Sequence, residues 1–271
     1  MLAFVATDAA LAALRDEAAA RDAAAPDAAH DLEHALRVAL WTLRCGPEVP
    51  ARLAVAAALL HDCVRVPKDH PDRALAGERS AARARERLLA LGFAAGEAEA
   101  AASAIRDHGF SRGAEPPEPL GRALQDADRL DALGAVGLAR LFATGAAMGA
   151  AFFDAGDPWA RRRAPDDRAW SVDHFFAKLL RLPASMRTGA GRREAEAPVG
   201  PPGVEIGRDD PLAAVVGVKG EDSPGLDSSG IGRRDARVVG VEQQRIRGIR
   251  GERHQTHDDH NGYVTSSHGT S

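Results

Sequence analysis

Apolar positions recur at helical spacing through the first two-thirds of the chain, and each run ends at a residue that stops helices. Leu11, Leu14 and Ala18 share one face of a run that Asp8 can cap and that continues to about Ala24. Pro26-Asp27 breaks it, and a second helix is predicted from about His30 to Cys45, ended by Gly46-Pro47. Val49-Pro50 opens the almost wholly apolar run Ala-Arg-Leu-Ala-Val-Ala-Ala-Ala-Leu-Leu (51–60), which closes on His61-Asp62. After a loop from Arg65 to Pro71, a charged amphipathic helix runs to Leu91 and stops at Gly92; another runs from about Glu97 to His108 and stops at Gly109. Pro116, Pro117 and Pro119 precede a helix over 120–133, and a glycine-rich helix over about 136–150 follows. Residues 154–168 read as loop, and 170–186 as helical at least to Leu182. With neither strand-like alternation nor an internal repeat, the predicted fold class is all-α, a helical bundle.

Beyond Thr188 the pattern changes. All eight Phe and all three Trp precede residue 177, whereas fifteen of the 27 Gly lie between Gly189 and Gly269. That composition cannot bury much core, so residues 1–190 are assigned to a packed domain and 191–271 to a disordered tail rich in Gly, Pro, Arg and Asp. His254, His257 and His260 fall in this tail and are read as part of it rather than as a metal cluster. A helix-like start at 191–197 halts at Pro198. The net charge of −4 gives no electrostatic case for nucleic-acid binding. No uninterrupted apolar run reaches membrane-spanning length, no basic segment precedes Asp8, and the two cysteines, Cys45 and Cys63, suggest no disulfide framework. A cytoplasmic protein without membrane or nucleic-acid partners is expected.

The chemistry centres on His61-Asp62. A carboxylate at the end of a helix that must bury itself needs a cation, and neutral His with ionised Asp suits a divalent metal. The alternative is a helix end at which His61 complements the dipole and Asp62 caps a turn. His34 shares a face with Val38 and Trp41, as either a core histidine or a ligand; His30, four residues earlier, would make an i,i+4 pair with it. Leu120, Leu124, Ala127, Asp128 and Asp131 form a stripe that turns two carboxylates towards leucines. His108 ends its own helix, where a dipole-complementing histidine is also common.

His34, then His61-Asp62, then Asp128, on separate helices, resembles the H…HD…D signature of HD-domain metal-dependent phosphohydrolases. Longer segments carry the resemblance to a bacterial branch that includes Mn²⁺-using nucleoside triphosphate pyrophosphohydrolases. They are His30-Asp-Leu-Glu-His-Ala-Leu-Arg-Val38, His61-Asp-Cys-Val-Arg-Val-Pro-Lys-Asp-His-Pro71, Gln125-Asp-Ala-Asp-Arg-Leu-Asp-Ala-Leu-Gly-Ala135 and Ser171-Val-Asp-His-Phe-Phe-Ala-Lys-Leu-Leu180. The similarity covers about residues 8–190; family members continue past the region matching Arg192–Glu196 into a final helix, and this chain departs there.

The resemblance implies that His34, His61, Asp62 and Asp128 hold one divalent metal: Mn²⁺ first, with Fe²⁺, Co²⁺, Zn²⁺ or Mg²⁺ as alternatives. His70 and His108 are the only further histidines between the HD pair and Asp128, too few to favour a second ion. It further implies a nucleotide substrate, cut at the α-phosphorus into monophosphate and pyrophosphate. Asp62, Lys68 and Asp131 are the candidate catalytic residues, with Asp131 orienting a ligand or water, and Lys68, His108 and Arg65 are the candidates for substrate contact. Lys68 and Arg65 can equally be solvated loop charges. Glu78 is a further acid–base candidate, and Arg161-Arg-Arg163 either covers a phosphate tail or is a surface charge run. Alternative functions are a phosphomonoesterase or phosphodiesterase at the same centre, or a non-catalytic nucleotide-binding module.

Overall fold

Capping and breaking residues set most of the helix ends. The computed structural model describes residues 2–27, 29–66 and 70–196. All lie within the unit Met1–Glu221, and the second unit, Asp222–Ser271, lies outside the described residues. Ten α-helices occur among the described residues: α1 (Leu2–Thr7), α2 (Ala9–Ala24), α3 (Leu32–Cys45), α4 (Ala51–Leu60), α5 (Ala76–Ala90), α6 (Ala95–Asp107), α7 (Pro119–Asp131), α8 (Gly134–Ala147), α9 (Asp173–Ala177) and α10 (Gly189–Ala195). No strand is formed among them; Ala151 and Trp170 make one isolated bridge. No single described helix is long and apolar enough to cross a membrane.

Asp8 accepts hydrogen bonds from the backbone N–H groups of Ala10 and Leu11 at 2.9 and 3.0 Å, starting α2. Asp31 does the same for His34 at 2.7 Å, starting α3. Gly92, at φ 79°, follows α5 in a backbone region that glycine enters without cost. The central element is α4: Ala54, Val55, Ala56, Ala57 and Ala58 have no exposed surface. It contacts α2, α3, α5, α6 and α7, so it is surrounded on every side. Its small side chains let those neighbours approach closely, and its last turn delivers His61 into the interior. A second apolar cluster, with Leu141, Phe175, Leu179, Leu182 and Met186, packs on the other side of α7.

The 170–186 segment departs from expectation. Instead of one helix it forms α9 and two 3₁₀ turns, Leu179–Arg181 and Pro183–Ser185. Lys178, at φ −138°, ψ −61°, breaks the helical path, and Pro183 lacks the N–H a continuing helix needs. The domain edge placed at 190 also cuts through an element, because α10 spans it and packs on α7 and α3. Residues from 197 onward, including His254, His257 and His260, lie outside the described residues.

Asp126 holds α10 in place. It is fully buried, and its carboxylate accepts from the backbone N–H of Arg187 at 2.8 Å and of Thr188 at 2.7 Å. Thr188 in turn caps α10 by accepting from Gly191 N–H at 2.9 Å. A Cβ at Gly191 would collide with the Asp126 carboxylate. Replacing Asp126 with Ala strands two buried N–H donors, so Asp126→Ala should cost about 2–4 kcal/mol, read as a lower urea midpoint at unchanged slope. A midpoint equal to that of the wild type would refute this latch.

Candidate metal centre

Three helix ends and one helix face bring the chemistry together. His34 comes from the first turn of α3, His61-Asp62 from the end of α4, His108 from the end of α6, and Asp128 and Asp131 from the last turn of α7. His34 and His61 are each 1% exposed and His108 7%, so none of the three rings is solvated.

The tautomers follow from the partners. His34 Nδ1 lies 2.7 Å from Asp131 Oδ2, His61 Nδ1 lies 2.7 Å from the Ala58 carbonyl and His108 Nδ1 lies 2.6 Å from the Ile105 carbonyl. Each partner only accepts, so each Nδ1 carries the proton and donates it, which leaves every Nε2 as a bare lone pair. Those lone pairs converge. His34 Nε2 and His61 Nε2 are 3.1 Å apart, His34 Nε2 is 3.6 Å from Asp128 Oδ1, and His61 Nε2 is 3.5 Å from Asp62 Oδ2. His108 Nε2 sits 3.7 Å from Asp62 Oδ1.

Five acceptors facing one another in a mostly buried space repel unless a cation lies among them. The donor set, imidazole nitrogen with carboxylate oxygen, fits a divalent transition ion. Ligand atoms of His34, His61 and Asp128 lie within 4.8 Å of one another, as do those of His61, Asp62 and His108. His108 therefore stands beside Asp62 at the centre rather than apart from it.

Asp131 serves this cluster through His34. Its carboxylate, 3% exposed, also accepts from Arg37 Nε at 2.6 Å and Arg140 Nη1 at 2.7 Å. Burial would raise the pKa of Asp131, but hydrogen bonds from His34 and Arg37 outweigh it and hold the carboxyl below the usual carboxylate range. Buried and bonded by His34, Arg37 and Arg140, that carboxylate is turned to the His34 ring and not open to the cleft. Arg140 also donates to the Ala29 carbonyl at 2.8 Å, tying the α2–α3 connection to α8.

A cleft of about 450 Å³ opens beside Asp62, His108 and Asp128. Arg73, Arg140, Arg168 and Lys178 line it, together with the apolar Leu141 and Met148. Lys178 is half-buried; burial pushes its pKa down while the neighbouring charge of Asp128 opposes that shift. None of these four cations stands out in the sequence as a site residue. Lys178 lies in the Ser171–Leu180 segment that carries the family resemblance, and Arg37 lies three residues from His34; Arg140 and Arg168 have no local signal at all.

Other expectations resolve differently. Arg65 is absent from the cleft wall: its guanidinium pairs with Asp22 at 2.5 Å and donates to the carbonyls of Ala25 and His30, joining the loop after α4 to the α2–α3 connection. Lys68 lies outside the described residues. His30 is held by Asp27 at 2.9 Å instead of clipping a metal with His34. Half-exposed Glu78 pairs with Arg112. His70 accepts from Asp72 N–H at the surface. Arg163 is used internally, pairing with Asp154 and Asp173, while Arg161 and Arg162 are exposed.

Burial pushes the His61 pKa from 6.5 down to about 4. The unfolded chain therefore takes up this proton before the folded one does, and stability that is complete above about pH 6.5 is lost as the pH falls towards 4. The metal-free protein should show a melting temperature that declines across that window, and a flat profile would contradict a neutral buried His61. Because Asp131 holds the His34 ring, Asp131→Asn should weaken metal affinity roughly 10–100-fold without removing any candidate ligand. Metal titration followed by elemental analysis tests this, and wild-type affinity in that variant would refute the orienting role.

Residues 31–133 match the family described as HD domain. That span starts at the cap of α3, ends just past α7 and encloses His34, His61, Asp62, His108, Asp128 and Asp131. The uncharacterised protein YpgQ of Bacillus subtilis (strain 168) is 35% identical over 173 residues, 62% of this chain and 76% of YpgQ. The crystal structure of Bacillus subtilis YpgQ in complex with ADP aligns with a TM-score of 0.51 at 29% identity, covering 68% of this chain and 86% of that one. A Lactobacillus plantarum protein aligns with a TM-score of 0.55 at 26% identity, covering 69% and 88%. With its donor geometry in place and a relative matched over most of its length, the chain belongs to the HD-domain family.

Proposed function

We propose that the protein is a metal-dependent phosphohydrolase of nucleotides, converting a nucleoside triphosphate to monophosphate and pyrophosphate. One observation carries the reading: the lone pairs of His34, His61 and His108 and the carboxylates of Asp62 and Asp128 converge at the edge of a cleft lined with cations. His34, His61, Asp62 and Asp128 would hold a divalent ion, with Mn²⁺ suited to their mixed nitrogen and oxygen donors. Such an ion makes water more acidic and polarises a phosphoryl oxygen.

The chain's own groups do the rest. Asp131 keeps the His34 ring turned and its Nε2 free. Asp62, with a 32% exposed side chain, is the carboxylate open to the cleft, placed to accept a hydrogen bond from an attacking water. His108, its own proton spent on Ile105, adds a second acceptor beside it. Water oxygen adds to the α-phosphorus while the α–β bridging oxygen leaves with pyrophosphate, and the basic lining offsets the charge on that leaving group. The nucleotide class draws support from the relative crystallised with ADP and from a cleft lined by both cationic and apolar side chains.

The test is product analysis. With Mn²⁺ and each common ribo- and deoxyribonucleoside triphosphate, chromatography should show monophosphate and pyrophosphate in equal amounts, and Asp128→Ala should lower the rate at least 100-fold. Diphosphate with orthophosphate would move the attack to the γ-phosphorus, and free nucleoside would indicate a monophosphatase. No turnover by the metal-loaded protein would reject the substrate class.

A further inference from the structure

The cations of the cleft differ in what already holds them. Arg140 is committed to Asp131 and to the Ala29 carbonyl, and Arg73 donates to the Val66 carbonyl at 2.6 Å. Lys178 and the side chain of Arg168 have no hydrogen-bonding or ion-pair partner among the described residues. The Lys178 ammonium meets only the face of Phe110, at 5.8 Å from the ring centre. A half-buried ammonium carries three donors and loses part of its hydration, a cost that an anionic acceptor offsets.

The backbone holds both residues in place for such an acceptor. Lys178 sits where α9 breaks, between Phe175 and Leu179, which are 1% and 2% exposed, so the chain is anchored on both sides of it. Lys178 lines the same cleft as the carboxylates of Asp62 and Asp128. Arg168 is exposed at the rim, in the loop before α9. That loop is tied down on both sides of Arg168: Asp167 pairs with His174 at 2.6 Å, and Asp173 pairs with Arg163 and accepts from Asp166 N–H.

We propose that Lys178 and Arg168 form a two-point clamp for a polyphosphate, Lys178 touching the phosphoryl group nearest Asp128 and Arg168 the phosphates beyond it. This rests on the nucleotide reading above for the identity of the ligand, although the clamp itself recognises only the phosphate chain. It replaces Arg65, and it assigns the inner contact to a residue far from the HD pair in sequence. A single phosphate reaches only the inner point, whereas a diphosphate or triphosphate reaches both.

The test is calorimetric binding to Mn²⁺-loaded protein of a nucleoside triphosphate whose α–β bridge is methylene, of the matching methylene diphosphate and of the monophosphate. Lys178→Met should weaken all three roughly ten- to a hundredfold, the worth of a hydrogen bond to a charged group, while keeping its metal. Arg168→Ala should weaken the triphosphate and diphosphate and leave the monophosphate unchanged. Lys178→Arg should retain more affinity than Lys178→Met. Wild-type affinity in Lys178→Met, equal losses in its Met and Arg variants, or loss of the bound metal in Lys178→Met would each overturn the inner contact. A uniform loss in Arg168→Ala, or none, would overturn the outer one. If wild type binds inorganic tripolyphosphate but no nucleotide, and the Met variant loses that binding, the clamp stands and the nucleotide reading falls.

Discussion

Three protons decide this site. The Nδ1–H groups of His34, His61 and His108 each have an acceptor close by, and two of the three acceptors are carbonyls three residues earlier in the chain. A helix end thereby sets the tautomer of its own histidine without help from a distant side chain. Only His34, at the start of its helix rather than the end, needs outside help, and Asp131 supplies it from a residue 97 positions away. With the three protons placed, the remaining nitrogens can act only as acceptors, and the affinity of the site for a cation follows from that arithmetic of lone pairs.

Asp131 would be an expensive residue to bury alone. Arg37 and Arg140 meet it from opposite neighbours, α3 and α8, so its charge is balanced before any ligand arrives. The same pairing explains why α8, a glycine-bearing helix with little contact elsewhere in the bundle, is tied to the centre: Arg140 bonds both the side chain and the backbone carbonyl of Asp131. Charge balance and helix placement are here one interaction.

Much of this was legible in the sequence. Runs of period 3.6 ending at Gly and Pro located the main helices, and an apolar run ending in His-Asp announced a buried ionic centre. What could not be read was three-dimensional closure. Nothing local distinguishes Arg65, which turns to Asp22 43 positions away, from Arg140, which turns to the Ala29 carbonyl 111 positions away. The 170–186 segment reads as one helix because its apolar spacing survives the break at Lys178: Phe175, Leu179 and Leu182 stay inward through 3₁₀ turns as they would in an α-helix. The short α1 leaves no periodic mark in the sequence because a six-residue helix has too few turns to show one.

The alanines of α4 have a further consequence, in entropy. A helix enclosed by five others, with five alanines among its ten residues that have no rotamers to lose, gives up little side-chain entropy as the bundle forms. His61 inherits that rigidity, since its ring is bonded to the carbonyl of Ala58 within the same helix. The ordering of the donors thus belongs to folding, and an arriving cation meets groups already in position. A substitution such as Ala57→Val, remote from any charge, would therefore act on ion affinity as much as on stability, because an overpacked α4 moves the donors with it.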